Sequence, residues 1–275
     1  DALTTGSRIT AIGFGALNSE TTGTRATAVG YNALAVQNRA DESHNTSVGY
    51  NSSGAVTSGD HNTAMGYGAF DDCIDANFNT AIGSGALSAD CGNSNVAIGY
   101  QAGNAYTGAS NVFVGTEAGL SNSTGSANVM VGEDAGRYVT TGASSVFVGN
   151  SAGKGLTSVK TTGANNTCIG SGAGLTLQGA GNANCFFGSD AGDSTTTGSR
   201  NILIGNNANS TSATGNHAIC IGHDITAASQ DFSFGRSSNV VTNDFDADAN
   251  WSRSSDERLK KNITNQSLGL DFIND

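Results

Sequence analysis

The chain has 275 residues with 39 Gly, no Pro and 13% charged residues, which excludes an average globular domain, and also collagen and Pro-rich linkers, since these need proline. Its net charge of −11 disfavours a nucleic-acid partner, because an acidic surface repels the phosphate backbone. No run of about 18 apolar residues is present to span a bilayer.

A tetrapeptide of the type "TAIG" recurs fourteen times, from the copy ending at Gly13 to the copy ending at Gly235, at intervals near 17 residues. This period is too short for a helical repeat, which needs about 33 residues, and the β-branched Thr or Val before the glycine favours a strand. We therefore predict an all-β fold, a β-solenoid of about 14 coils of ~17 residues over residues 1–236. Each coil is expected to hold a short strand, a glycine turn, a second short "x-A-G/L" strand and a polar loop.

Alternate residues of a strand point to opposite faces, and both faces of the predicted strand are apolar. The residue just before the glycine is always large, so we expect this row to face the core. The row comprises Ile12, Val29, Val48, Met65, Ile82, Ile98, Val114, Val131, Val148, Ile169, Phe187, Ile204, Ile221 and Phe234. The residue before it, Ala in early copies and mostly Phe, Met, Leu or Cys later, would then face outward. A second copy of the chain must cover that row, which predicts a rotationally symmetric homo-oligomer, intertwined or side by side.

Asparagine stands four residues before the glycine in nine copies. These residues are Asn45, Asn62, Asn79, Asn95, Asn111, Asn128, Asn166, Asn184 and Asn201. Because copies stack in register, we expect an amide ladder or turn caps rather than an array of cation ligands.

Aromatic residues follow the glycine at Phe14, Tyr31, Tyr50, Tyr67 and Tyr100. They occupy similar places in successive coils, so they could form a platform on which sugars stack. The simpler interpretation is packing at a corner of the coil, and both interpretations stay open at this point.

His44 and His61 lie one coil apart and are expected to stack, but two ligands are too few for a metal site. Asp244, Asp246 and Asp248 imitate the start of a calcium loop, but an EF-hand is rejected because its sixth and twelfth positions lack the required Gly and Glu. A looser cation site on a symmetry axis is the remaining alternative. We therefore predict no cofactor and no resident metal.

Five cysteines occur without a CxxC pair. Cys73 and Cys91 fall at nearly equal positions of adjacent coils, which suits either a disulfide or two free thiols. Cys168 and Cys220 stand in the row two places before the glycine and are expected to be small core residues.

The copies "NVAIGYQAG" (residues 95–103) and "NTAIGSGAL" (residues 79–87) resemble two groups of proteins. One is the left-handed β-roll heads of trimeric autotransporter adhesins, and the other is the shafts of phage and algal-virus tail fibres. The resemblance covers residues 8–236 and implies a left-handed, β-roll-like solenoid assembled as a homotrimer.

The C-terminal segment "SDERLKKNI" (residues 255–263), with "LGLDFIND" (residues 268–275), resembles the start of the intramolecular chaperone domain of phage endosialidases and tail spikes, the S74 peptidase family. In that family the domain trimerises, guides folding of the fibre and cuts itself off. The resemblance implies that residues 237–254 are a linker to the cleavage junction and that residues 255–275 are the truncated beginning of this domain.

The same resemblance implies the chemistry of the junction. Cleavage would fall between Ser254 and Ser255, with Ser255 as nucleophile and Lys260 as general base, while Asp256 and Arg258 fill the other fixed places of the motif. A hydroxyl needs a base to take its proton, and a lysine can serve when burial lowers its pKa. The alternative for this segment is a solvated charged stretch.

Together these features predict a structural and adhesive trimeric fibre of a virion, extracellular, acting as a stiff shaft with a surface that could bind a host glycan. Expected partners are its own copies, other virion tail proteins, and a host cell-surface glycan or protein, without nucleic acid or membrane insertion. No GxSxG, HExxH or Walker motif is present, so no enzyme is predicted beyond single-turnover autocleavage. The alternative is the head of a bacterial trimeric autotransporter-like adhesin on the cell surface. An ice-binding or cation-binding solenoid is disfavoured, because the Thr column gives way to Val from Val96 onward.

Overall fold

The computed structural model describes residues 5–39, 41–121 and 124–247, and this part of the chain contains strands and turns but no helix. The strands are β1 (Thr10–Ile12), β2 (Thr27–Val29), β3 (Thr46–Val48), β4 (Thr63–Met65), β5 (Thr80–Ile82), β6 (Val96–Ile98), β7 (Val112–Val114), β8 (Val129–Val131), β9 (Val146–Val148), β10 (Thr167–Ile169), β11 (Cys185–Phe187), β12 (Ile202–Ile204), β13 (Asn209–Ser210), β14 (Ile219–His223), β15 (Thr226–Ala227), β16 (Asp231–Arg236) and β17 (Asn239–Asp244).

The strands stack into one long parallel sheet in the order β1 to β12, then β14 and β16. Pairing is in register, so that each residue lies beside its equivalent in the next copy, as Thr63 lies beside Thr80. The chain therefore makes about 13 turns of ~17 residues, which confirms the predicted β-solenoid. β17 closes this sheet as an antiparallel hairpin partner of β16, while β13 and β15 form a separate parallel pair.

The assignment of the two strand faces was wrong. The middle residue of each three-residue strand from β2 to β12 points inward and is buried, as in Ala28, Phe113 and Leu203. The residue just before the glycine points outward, and Met65 and Phe187 are 47% and 53% exposed. Residue size therefore does not decide which row is enclosed, because the buried residue is the smaller Ala28 in β2 and the larger Phe113 in β7. We call the middle residues the inner row, and the first and third residues the outer rows.

Within the described residues, the second strand predicted for each coil is absent from the coils of β1 to β11, and it forms only after Gly205 and Gly222, as β13 and β15. In the coils of β1 to β11 the segment after the glycine is a turn, with left-handed residues such as Leu34 (φ 50°) and Phe70 (φ 58°). Its backbone still pairs between coils, because the N–H of Phe70 donates to the carbonyl of Ala86 at 2.9 Å. Coil-to-coil hydrogen bonding therefore does not need a second extended segment.

A corner glycine follows the tripeptide "TAI" or its equivalent in every copy. Its φ lies between 126° and 152° in all fourteen, a range that favours glycine. A Cβ at Gly99 would lie 2.5 Å from the carbonyl oxygen of Gly115, the next corner glycine. The corner therefore needs glycine both for its φ and for the close approach of successive coils.

The asparagine ladder is present, and it bonds mainly to the backbone. In Asn184, Oδ1 accepts the N–H of Asn201 at 3.0 Å, and Nδ2 donates to the carbonyl of Gly198 at 2.9 Å. The same pattern links Asn62 to the N–H of Asn79 at 2.9 Å. All nine side chains are buried. Each asparagine thus satisfies one donor of the next coil and one carbonyl of the loop, as an unpaired buried polar group would be costly.

Each coil is filled mainly from two positions, the inner row and the residue four places after the corner glycine. In most early coils, those of β1–β6, the inner residue is small and the other is large, as with Ala81 and Leu87. In most late coils, those of β7–β12, the sizes are reversed. Phe147 is fully buried, and a Cβ at Gly153 would lie 2.3 Å from its ring.

Candidate functional site

The residue after each corner glycine forms an exposed column along the solenoid. It is aromatic in five of the first six coils, at Phe14, Tyr31, Tyr50, Tyr67 and Tyr100, and all five side chains are exposed. The rings stand at the surface of the corner. We call this column the aromatic ladder.

Neighbouring rings of the ladder stack almost parallel. The ring centroids of Phe14 and Tyr31 are 5.5 Å apart, those of Tyr31 and Tyr50 are 5.0 Å apart, and those of Tyr50 and Tyr67 are 5.3 Å apart. The interplanar angles are 9–14°. Because each inner ring has both faces covered by its neighbours, only the edges of those rings meet solvent, and a continuous platform of ring faces is not formed.

The ladder is interrupted at one coil, where Ser84 takes the place of an aromatic residue between Tyr67 and Tyr100. A cleft of about 330 Å³ lies at this interruption. Its floor includes Gly68 and Gly85, which have no side chain to fill the space. Among the described coils, these are the only two consecutive glycines at this position, since Asn51 precedes them and Gln101 follows.

Polar side chains from three coils line the far side of the cleft: Asp71, Ser88 and Asn104, each five places after its corner glycine. Asn104 Nδ2 donates to Ser88 Oγ at 2.5 Å and to the carbonyl of Gly85 at 2.9 Å, so Oδ1 is turned to accept. Asp71 accepts a hydrogen bond from Asn51 Nδ2. Burial raises the pKa of Asp71 despite that bond. The cleft therefore offers both acceptors and donors beside two aromatic rings.

A second group of side chains lies nearer the N-terminus. His44 and His61 stack as predicted, with ring centroids 4.4 Å apart, and Phe78 continues the stack at 5.1 Å. Asp60 Oδ1 accepts the backbone N–H of both histidines at 2.6 and 2.7 Å. Burial opposes ionisation of Asp60, but these hydrogen bonds outweigh it and lower its pKa.

One ligand atom each from His44, Asp60 and His61 lie within 4.8 Å of one another, a spacing that could hold a metal ion. The imidazole planes are only 5° apart, so their in-plane lone pairs run parallel and do not converge on one point. The guanidinium of Arg25 also lies 3.3 Å from His44 Nε2, and its positive charge opposes a cation. The geometry therefore favours a stacked, hydrogen-bonded surface over a metal centre.

The outer rows form an apolar surface along the sheet. In most late coils both rows are apolar, as in Val112 and Val114 of β7 and Val129 and Val131 of β8. These four side chains are half-buried. In the coils of β1 to β5, Thr fills the first of the two rows. The sheet thus presents a stripe of aliphatic side chains whose apolar character increases towards the C-terminal coils.

The structure shows the state of the four cysteines singled out from the sequence. Cys73 and Cys91 are free thiols, and Cys73 Sγ donates to the carbonyl of Ala89 at 2.9 Å. Cys168 and Cys220 are buried core residues, as predicted. Burial raises the pKa of the Cys220 thiol to about 11, so it stays protonated at neutral pH.

The residues predicted for autocleavage, Ser254, Ser255, Asp256, Arg258 and Lys260, lie outside the described residues. Asp248 of the imitation calcium loop lies outside them too. Of its companions, Asp244 accepts the backbone N–H of Asp246 at 2.8 Å, an ordinary turn contact.

The part of the chain that the structure describes defines a class, the parallel β-solenoid with one strand and one glycine corner per coil. It contains no helix of the length and apolarity that crossing a bilayer requires. Comparison with family models, with curated proteins and with solved structures found no match for the chain.

Proposed function

We propose that the chain is a segment of a homotrimeric fibre of a virion, a tail fibre or tail spike, which acts as a stiff shaft and as an adhesive surface. The observation that carries the proposal is the aliphatic stripe of the outer rows, which runs over fourteen stacked strands. A soluble monomer rarely exposes a contiguous apolar patch larger than several hundred Å². A partner surface of equal length is needed to cover the stripe, and another copy of the chain supplies it.

Three copies around one axis suit a stripe of this kind, because each copy can turn the same face to the axis and the assembly closes without a free interface. The resemblance of the repeats to trimeric adhesin heads and viral fibre shafts supports three rather than two copies. In-register pairing along the whole sheet, as between Val129 and Val146, gives the rod stiffness.

The mass of the particle by sedimentation or light scattering tests the trimer. We expect three chains per particle for the wild type and dissociation for Val131→Lys, which places a charge on the stripe but outside the core of the coil. Ser189→Lys is the matched control, because Ser189 is exposed and lies outside the outer rows. A monomeric wild type would refute the trimer, and an unaffected Val131→Lys trimer would refute this interface.

We further propose maturation by loss of a C-terminal chaperone domain, on the resemblance of the segment from Ser255 to the S74 family. A chain extended with the complete domain should separate after Ser254. Ser255→Ala should block the release, and Lys260→Ala should do the same, because the nucleophile then keeps its proton. Mass spectrometry of the products decides this, and release in the Ser255→Ala variant would contradict it.

The head of a bacterial surface adhesin is the second candidate, because the same repeats resemble that family as well. The two candidates differ in what a full-length gene encodes downstream: a chaperone domain for the fibre, or a coiled-coil stalk and membrane anchor for the adhesin. Sequencing through the end of the gene separates them.

A further inference from the structure

We propose that the cleft between Tyr67 and Tyr100 binds one neutral hexopyranose unit of a glycan. The inference rests on the adhesive part of the proposed function and names its ligand class. It starts from the interruption of the aromatic ladder, where Ser84 replaces a ring and leaves one face of Tyr67 and one face of Tyr100 turned to the same space.

The spacing of the two rings suits a sugar better than a flat ring. Two coil steps of ~4.8 Å separate them, so their planes lie about 10 Å apart. A flat ring midway would be about 4.8 Å from each face, beyond the ~3.5–4.0 Å of carbon–carbon contact. A pyranose chair is thicker and carries axial C–H groups on both sides, whose partial positive charge is attracted to the negative faces of aromatic rings.

The polar lining matches the rim of such a sugar. Asp71 and Asn104 Oδ1 accept hydrogen bonds, while Ser84 and the amide of Gln101 can also donate, so equatorial hydroxyls find both kinds of partner. The amide of Asn104 is held in place by Ser88 and by the carbonyl of Gly85. A site with few polar groups already positioned between aromatic walls is typical of small-ligand clefts.

The negative charge of the cleft and of the chain decides which class of sugar the cleft can bind. The one carboxyl group of the cleft is that of Asp71, and the chain carries a net charge of −11, so an acidic sugar would meet repulsion. An amino sugar would gain attraction but would also be drawn to other acidic surfaces. We therefore assign the cleft to neutral hexopyranoses.

The two glycines of the floor set this part of the surface apart from the coils of β7 and β8. There the equivalent positions carry Glu117 and Asp134, and Arg137 bridges them with contacts of 2.6 and 2.9 Å. These ion pairs occupy the surface that is open between Tyr67 and Tyr100. The cleft is thus a local departure from the repeat.

Saturation-transfer NMR on the full chain tests the proposal with methyl glucopyranoside, methyl galactopyranoside and methyl mannopyranoside as probes, beside glucosamine and N-acetylneuraminic acid. We expect transfer to at least one neutral methyl hexopyranoside and none to N-acetylneuraminic acid. Tyr100→Ala should weaken binding by about tenfold, since one aromatic face is lost. Transfer to none of the neutral probes, or a preference for the acidic sugar, would overturn the assignment.

Ser84→Tyr is the decisive variant, because it completes the ladder and fills the cleft without disturbing the inner row. We expect it to fold with an unchanged melting temperature and to lose sugar binding. Ser171→Tyr is the matched control at the equivalent position of a late coil, and should bind as the wild type does. Sugar binding that survives Ser84→Tyr would refute the site. Particle mass is measured on the same samples, so a failed site with an intact trimer is distinguished from a failed trimer.

Discussion

The early and late coils share one backbone path but fill it from opposite sides. In the early coils the strand contributes a small inner residue such as Ala64, and Phe70 fills the coil from the turn segment. In the late coils the strand contributes Phe113 or Phe147, and the turn segment contributes glycine. The comparison shows that one large side chain fills most coils and that either position can supply it, as close packing of the interior requires.

The coil of β6 lies at the change between the two schemes and belongs to neither. Both of its filling positions are small, Ala97 and Gly103, and a Cβ at Gly103 would lie 2.7 Å from the ring of Phe113 in the next coil. Tyr106 packs on that ring with centroids 4.5 Å apart. The larger side chain of the following coil therefore fills the space that this coil leaves, which shows that the coils share one continuous core.

The outer surface changes at the same place. Aromatic rings follow the corner glycines up to Tyr100, whereas Thr116, Glu133 and Asn150 follow those of the next three coils. The first outer row changes from Thr to Val at Val96. The early half therefore exposes rings and the cleft, while the late half offers the more apolar stripe. Within the function proposed above, we therefore propose adhesion chiefly for the first half and assembly chiefly for the second.

The largest expected change in stability comes from converting one late coil to the early arrangement, with a small inner residue and a large residue four places after the corner glycine. Phe147→Ala should lower the free energy of unfolding by about 3–5 kcal/mol, because it leaves a cavity in the core. Adding Gly153→Leu recreates the early scheme of Ala81 and Leu87. Leu87 has φ 46° where Gly153 has φ 58°, so the backbone accepts leucine there. The double variant should recover at least half of the loss in urea denaturation.

Gly153→Leu alone is the matched control for that exchange. A Cβ at Gly153 would lie 2.3 Å from the ring of Phe147, so the single variant should be destabilised and the two changes should couple favourably by about 2 kcal/mol or more. Additive losses in the double variant would show that the coil does not conserve its volume in this way.

Sequence reasoning reached the solenoid, the strand in each copy, the corner glycines and the asparagine ladder, because period and hydrogen-bonding chemistry recur in every copy. It placed the rows on the wrong faces, since residue size suggested that Ile82 was inside and Ala81 outside. In most copies, a small inner residue comes with a large residue four places after the corner glycine, as with Ala81 and Leu87, or the reverse. This relation between the two sizes was the signal that could have corrected the faces. The cleft at Ser84 was missed because it exists only where the repeat departs from itself.

The asparagine ladder provides the intermediate test, because both halves contain it with the same hydrogen bonds. Asn62→Ala in an early coil and Asn184→Ala in a late coil should each cost about 2–4 kcal/mol, since each leaves a buried backbone N–H and a buried carbonyl without their partner. Calorimetric melting should give losses that agree between the halves. Asn206→Ala, at an exposed position, should change the stability by less than about 0.5 kcal/mol. A loss confined to one half would mean that the ladder carries stability only there.

The smallest expected change in stability concerns two aspartates whose pKa values shift in opposite directions, Asp134 and Asp71. Burial opposes ionisation of Asp134, but Lys154 at 2.7 Å and Arg137 outweigh it and lower its pKa. A lowered pKa contributes stability above the unfolded value of about 3.9, and this contribution is lost as the pH falls through the folded value. Asp134→Asn should therefore cost about 0.5–1 kcal/mol at pH 7 and nothing at the acid end of the titration.

Asp71, whose pKa burial raises, should behave in the opposite sense. Its ionisation in the folded chain carries a penalty that is complete above the folded pKa and disappears below the unfolded one, so Asp71→Asn should not lower the stability at pH 7. Urea denaturation of both variants between pH 3 and pH 7 gives, for each, the dependence of the free energy of unfolding on pH. Equal losses for the two variants at pH 7 would mean that the open cleft and the closed surface of the late coils do not differ in electrostatics, although their side chains differ.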